Sequence, residues 1–157
     1  MLRLGKLTDY GTVILAVMAE EPGRLRNAAA LAERTHIALP TVSKLLKQLQ
    51  RSGLVTSSRG LHGGYQLARP AESISAAEIL DALEGPPQLT DCAAGQGHCG
   101  IEATCRVSHV WQRLSFAIRR SLHEVSLAQL AGLDAAVRVS TVNIERQLRS
   151  AMGRSRV

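Results

Sequence analysis

Three cysteines stand close together in this chain. They are Cys92, Cys99 and Cys105, separated by six and then five residues. Zinc knuckles usually pair cysteines roughly two to four residues apart, and no such pair occurs here. Wider-spaced thiolates in a stretch rich in Gly, Gln and Asp suit an iron–sulfur cluster better, because the backbone must wrap a larger object. A cluster needs a fourth ligand, and the chain holds only 3 cysteines. His98, His109 and Asp9 are the candidates. His109 follows Cys105 by one helical turn, so the two can share a face.

Other chemistries fit these residues less well. The odd count rules out a disulfide framework. Free cysteines often pack as small hydrophobes, but these neighbours are poor core material. A thiol redox switch would use two of the three. Cys105 with His109 has the spacing of a nucleophile and its base. Nothing nearby resembles an oxyanion site, so the chain reads as no enzyme.

The elements around the cysteines follow from periodicity. Tyr10, Val13, Ile14, Val17 and Met18 recur at helical spacing behind Thr8, a plausible N-cap. That predicts a first helix, ended by Glu20-Glu21-Pro22-Gly23. A short second helix is expected over 25–34, with Ala28, Leu31 and Ala32 inward, and a turn over 35–39. Pro40 sits where a first-turn proline belongs. Val42, Leu45, Leu46 and Leu49 form the inner stripe of a third helix, which Gly53 stops. Two strand-like runs, 54–57 and 65–67, flank a glycine-rich turn and predict a β-hairpin.

Ser75 and Glu78 form a capping box. It opens a helix through Ile79, Leu80 and Leu83, stopped by Gly85-Pro86-Pro87. Residues 86–104 read as loop. A long amphipathic helix is predicted from Thr104 to Glu124, with Val107, Val110, Trp111, Leu114, Ala117, Ile118 and Leu122 apolar. Twenty-one residues of helix span about 31 Å, more than one small domain needs to cover itself. Ser126 and Gln129 start a short capped helix that ends at Gly132. The last residues, rich in arginine, are expected to be mobile. The fold class is therefore mainly α with a small β wing: a winged helix-turn-helix plus a long helix. The expected divisions are 1–85, 86–105, 104–132 and a basic tail over 133–157.

Charge placement says what the winged part does. The net charge is +6. Residues 34–71 hold Arg34, Lys44, Lys47, Arg51, Arg59 and Arg69 and no acid. Residues 70–105 hold Glu72, Glu78, Asp81, Glu84, Asp91 and Glu102 and no Lys or Arg. Such separation marks an anion-binding face. A helix-turn-helix with polar residues outward fits a DNA major groove. Thr41, Ser43 and Lys44 are placed for base edges, Lys47 and Arg51 for phosphates. Arg59 and His62 sit on the hairpin tip, where arginine suits the minor groove. Thr8 and the first amides of its helix are a further phosphate candidate. The bland reading is a helical domain with an accidentally basic face, and the hairpin and missing acids weigh against it.

No apolar run approaches the roughly 20 residues of a membrane span. Residues 10–19 could imitate a signal-peptide core, but Thr8 and Asp9 interrupt it, and the chain reads as cytoplasmic.

These features together resemble the Rrf-two family of bacterial transcription regulators over about residues 1–132. The resemblance rests on Leu7-Thr8-Asp9-Tyr10-Gly11, on Gly53-Leu54-Val55 leading to Arg59-Gly60, on Gly63-Gly64-Tyr65-Gln66-Leu67-Ala68-Arg69, and on the three cysteines. Stretches 3–12, 39–46 and Glu84-Gly85-Pro86 to Cys92 look most like regulators of the SUF iron–sulfur assembly operon. The resemblance implies a homodimer joined by the long helix through Val107, Val110, Trp111, Leu114, Ile118 and Leu122. It implies double-stranded DNA with a palindromic operator as the partner, and repression as the output. It also implies that Cys92, Cys99 and Cys105 bind an iron–sulfur cluster, [2Fe-2S] in preference to [4Fe-4S]. One branch of the family has a histidine three residues after the last cysteine, where Ser108 stands; His109 is one position late. Another branch uses an aspartate of the partner subunit's first helix, and Asp9 stands there. The alternative is a winged-helix adaptor with structural zinc or a thiol redox switch and no cluster.

Overall fold

The computed structural model describes residues 4–60, 62–86, 89–90 and 105–133. The first helix, α1, spans Lys6–Ala19. It begins two residues before the expected cap. Gly5 is the N-cap, and Thr8 lies buried inside the first turn. The inward stripe is also rotated from the expected one. Ile14, Leu15, Met18 and Ala19 are buried, whereas Val13 is exposed. This helix is apolar on several sides, so spacing alone cannot choose its inner face. Contact with the fourth helix chooses it: a Cβ on Gly11 would lie 2.5 Å from Leu83 Cδ1.

The second helix, α2, spans Ala28–Thr35, with the Asn27 side chain accepting from the Ala30 N–H at 2.8 Å. Residues 25–27 are therefore not helical, contrary to expectation. Arg26 instead makes a two-bond bridge with Tyr65, N–H to O at 3.0 Å and 2.8 Å. The turn into α3 (Leu39–Arg51) passes through His36 in the left-handed region. Pro40 lies in the first turn of α3, and Val42, Leu45, Leu46 and Leu49 are its buried residues, as the spacing predicts.

Strands β1 (Val55–Ser58) and β2 (Gly64–Leu67) pair antiparallel, Val55 opposite Leu67 and Ser58 opposite Gly64. Gly64 is required where it stands. A Cβ there would lie 2.8 Å from the carbonyl carbon and oxygen of Arg26, which cannot yield like a flexible side chain. The bridge at Arg26 thus adds a third short edge to the hairpin.

Helix α4 (Ala76–Leu83) begins with the capping box read from the sequence. The Glu78 carboxylate accepts from the Ser75 N–H at 2.8 Å and from Arg69 at 2.6 Å. Burial pushes the Glu78 carboxyl upward, but the Ser75 N–H and Arg69 outweigh it and hold it below the ordinary 4.5. A carboxyl lowered by folding contributes stability that is complete above 4.5 and is lost as pH falls through the lower folded value. Glu78→Gln is therefore expected to flatten the fall of melting temperature below pH 4.5. An unchanged acid limb in thermal melts would rule this out.

Helix α5 spans Ser108–His123, shorter than the expected 104–124. Its 16 residues run about 24 Å, and Val107 precedes the first turn as N-cap. Helix α6 (Leu127–Leu130) carries the second capping box, Ser126 with Gln129. It is tied to the start of α4 by Leu127 N–H to Ile74 O at 2.7 Å and Ala76 N–H to Val125 O at 2.8 Å. Leu127 and Ala128 join Ile14, Leu31, Leu45, Leu49, Leu54 and Ile79 in one core.

Candidate DNA interface and cysteine site

Helix α3 is held by its buried stripe, which leaves the opposite side to solvent. Lys44, Lys47 and Arg51 are exposed there. At 100° per residue, Ser43, Lys44 and Arg51 all lie within about 60° of Lys47. Thr41 lies about 120° from Lys47 around the helix and is half-buried. Gln48 belongs to the fold and not to this face. Its Nε2 donates to Ala82 O at 3.0 Å and to Leu83 O at 3.1 Å. Gln50 ties the helix to the wing, donating to Ser57 Oγ at 2.8 Å. Arg59 and His62 are exposed on the hairpin tip, and Leu61 between them lies outside the described residues.

The electrostatics differ from the count along the chain. Arg34 is paired with Glu20, and Arg69 pairs with Glu78 at 2.6 Å. The acids come from the C-cap of α1 and from α4, outside the acid-free stretch. Glu21 takes Arg24 and, at 2.5 Å, Arg26. The hydrogen bond from Arg24 is the main cause holding the Glu21 carboxyl below its ordinary value. Among the described residues, Lys44, Lys47, Arg51 and Arg59 have no carboxylate partner. The basic surface thus contracts to one face of α3 and the wing tip. Such a surface can bind a polyanion, with the helix N-terminal half nearest base edges.

The start of α1 does not offer a phosphate site. The Glu84 carboxylate accepts from the Gly5 N–H at 2.6 Å and from the Thr8 hydroxyl. An anion already occupies the donors that a phosphate would need.

Of the cysteines, Cys105 is described and half-buried; Cys92 and Cys99, with His98, lie outside the described residues. Among the described residues no three His, Cys, Asp or Glu side chains converge on a metal position. Asp9 is exposed on the first turn of α1, with no hydrogen bond or ion pair to its carboxylate among the described residues. His109 is exposed as well. Ser108, three residues after Cys105, is buried and donates to the Cys105 carbonyl at 3.1 Å. His109 points about 100° further round the helix.

Helix α5 packs on α4, where the Arg119 guanidinium pairs with both Asp81 oxygens at 3.0 Å and 2.5 Å; Ser108 and Ser115 are its buried residues. The neighbouring face carries Val110, Trp111, Leu114, Ile118 and Leu122. Val110 and Trp111 are exposed, as is Val107 before the helix; the other three are half-buried. Phe116 is 68% exposed on the far side, about 160° from Ile118. No helix among the described residues is long and apolar enough to cross a membrane.

Known proteins share this arrangement. A family model described as Rrf2, iron-dependent transcriptional regulator, matches residues 4–132. The transcriptional regulator IscR of Cereibacter sphaeroides is 34% identical over 128 residues, 80% of this chain and 83% of its own length. Protein rrf2 of Nitratidesulfovibrio vulgaris is 32% identical over 133 residues, 82% of this chain and 87% of its own. Among solved structures, IscR of T. potens superposes with a TM-score of 0.64 at 26% identity, covering 87% of this chain and 91% of that one. CymR of B. subtilis, titled the global cysteine regulator, does so with a TM-score of 0.64 at 25% identity, covering 85% and 99%.

Proposed function

This chain belongs to the Rrf2 family of transcriptional regulators, and on that premise we propose that it is an iron–sulfur-sensing repressor that binds a palindromic operator as a cytoplasmic homodimer. The observation that carries the DNA half is the basic face of α3, Lys44, Lys47 and Arg51, which has no carboxylate partner among the described residues, beside a wing tipped by Arg59 and His62. Ser43, Lys44 and Thr41 would meet base edges, and the other cations would meet phosphates. The stripe on α5 would join the protomers. The divisions at 1–85, 86–105, 104–132 and 133–157 then serve as reader, sensor, dimer contact and basic tail.

The donor set fits a cluster in chemistry. Cys92, Cys99 and Cys105 supply thiolates, and Asp9 is exposed with no partner to its carboxylate among the described residues, as a ligand to the partner subunit's cluster would be. His109 is the less suited fourth ligand, because the residue one position nearer to Cys105, Ser108, is the one that faces inward, and His109 is exposed. A bound cluster, [2Fe-2S] in preference to [4Fe-4S], would supply a redox- and iron-sensitive tie between these residues. The target genes, by family likeness, would be those of iron–sulfur assembly.

Anaerobic purification or reconstitution is expected to give visible sulfur-to-iron absorption. Asp9→Ala is expected to lose it on desalting, and His109→Ala to keep it. Operator binding should differ between loaded and cluster-free protein. A colourless protein after reconstitution, or one that holds zinc in its place, overturns the cluster and leaves a winged-helix adaptor or a thiol switch.

A further inference from the structure

Helix α4 and its C-cap are bonded to the end of the wing, to α5, to α3 and to the start of α1. Glu78 holds Arg69 at the end of the wing, and Asp81 holds Arg119 on α5. Its last turn is held on two sides. Gln48 of α3 donates to the Ala82 and Leu83 carbonyls at 3.0 Å and 3.1 Å. Glu84 accepts from the Gly5 N–H at 2.6 Å and from the Thr8 hydroxyl at the start of α1.

We infer that Gln48 and Glu84 are positioning residues, which make the C-terminal turn of α4 the joint through which the recognition helix is set against the sensing residues. This inference rests on the sensing function proposed above. Helix-terminal carbonyls have no partner within their own helix. Here the recognition helix itself supplies one, from the residue next to Lys47. Any shift of the Ala82 and Leu83 carbonyls therefore breaks two bonds to α3 or drags it along.

Glu84 brings in the other side. It is an anion at the positive end of α1, where the helix dipole strengthens its bonds. Asp9 lies in that same first turn. Gly85 follows at φ +88° and ends α4, and the chain from there leads to Cys92. The helix that bears Asp9 is thus bonded to Glu84, next to the Leu83 carbonyl that Gln48 holds. The apolar stripe of α3 is buried independently of Gln48, so the helix does not need this bond to fold. A side chain that the core does not need is free to serve orientation.

The test compares operator dissociation constants of cluster-loaded and cluster-free protein, with thermal melts of both. The wild type is expected to show a ratio between the two forms of about 5- to 150-fold, the usual range of coupling between sites. Gln48→Met keeps length and loses the donor. Glu84→Ala loses the acceptor, and Glu84→Gln keeps an oxygen that can accept both bonds. Gln48→Met and Glu84→Ala should bring the ratio to within about threefold of one, with melting temperatures close to wild type. Glu84→Gln should restore it. If Glu84→Ala does not fold, Gln48→Met and Glu84→Gln still decide the matter. A wild-type ratio in Gln48→Met, or a lost ratio in Glu84→Gln, overturns the joint alone. Equal binding by the two wild-type forms overturns the sensing function, and the joint with it.

Discussion

Replacing Lys44, Lys47 and Arg51 together by Ala is expected to weaken operator binding at least about a hundredfold and to flatten its salt dependence. Each cation that neutralises a phosphate releases counterions, and log K falls with log salt by about 0.9 per contact. Three contacts per protomer amount to about 2.7 in slope, and two protomers to about 5.4. The fold should survive, because all three side chains are exposed and have no carboxylate partner among the described residues. The sharper part of the experiment is its control. Arg34 and Arg69 lie in the same acid-free stretch of sequence, but Glu20 and Glu78 already pair with them. Arg34→Ala and Arg69→Ala should leave the slope within about half a unit of wild type. Fluorescence anisotropy across a salt series measures both. A slope unchanged in the triple variant would remove α3 as the DNA-contacting helix.

The second large effect concerns α5. Trp111→Glu with Leu114→Glu is expected to turn a dimer into a monomer in sedimentation equilibrium, and to lower operator affinity about tenfold or more, since half of a two-site contact is lost. The residues sit on the face of α5 that α4 does not cover, with Val110 and Trp111 60% and 41% exposed. Carboxylates placed there would have to be desolvated in any dimer, at several kcal/mol each in order of magnitude. Phe116→Glu is the matched control. Phe116 is the most exposed large apolar residue among those described, yet it points away from this face. The substitution should leave the dimer intact. A wild type that is monomeric at micromolar concentration, or a double variant that stays dimeric, would reject this face.

Local signals were legible where their partners lie within one turn. The capping boxes at Ser75 and Ser126 join residues three apart, so the sequence contains both halves of each. The stripe Val42, Leu45, Leu46, Leu49 is unambiguous because the other side of α3 is polar. The hairpin follows from glycines on either side of its turn. In α1 the same method misplaces the inner face, because Val13 and Val17 are as apolar as Leu15 and Ala19. Periodicity starts the second helix too early, because nothing near Arg26 reveals that Tyr65 pairs with it.

The sequence by itself determined which segments become helix, hairpin and turn, and that cations and cysteines fall into separate stretches. Those properties depend on neighbours three or four residues away, or on composition alone. The tertiary structure decided which cations remain free. Among the described residues, four of the six in the acid-free stretch have no carboxylate partner, whereas Glu20 and Glu78 fold back onto Arg34 and Arg69. It also decided that Glu84 caps a helix 79 residues earlier in the chain, and that Gln48 faces α4 and not solvent. Charge pairing and capping at that range depend on distance in space, which only the packed core sets.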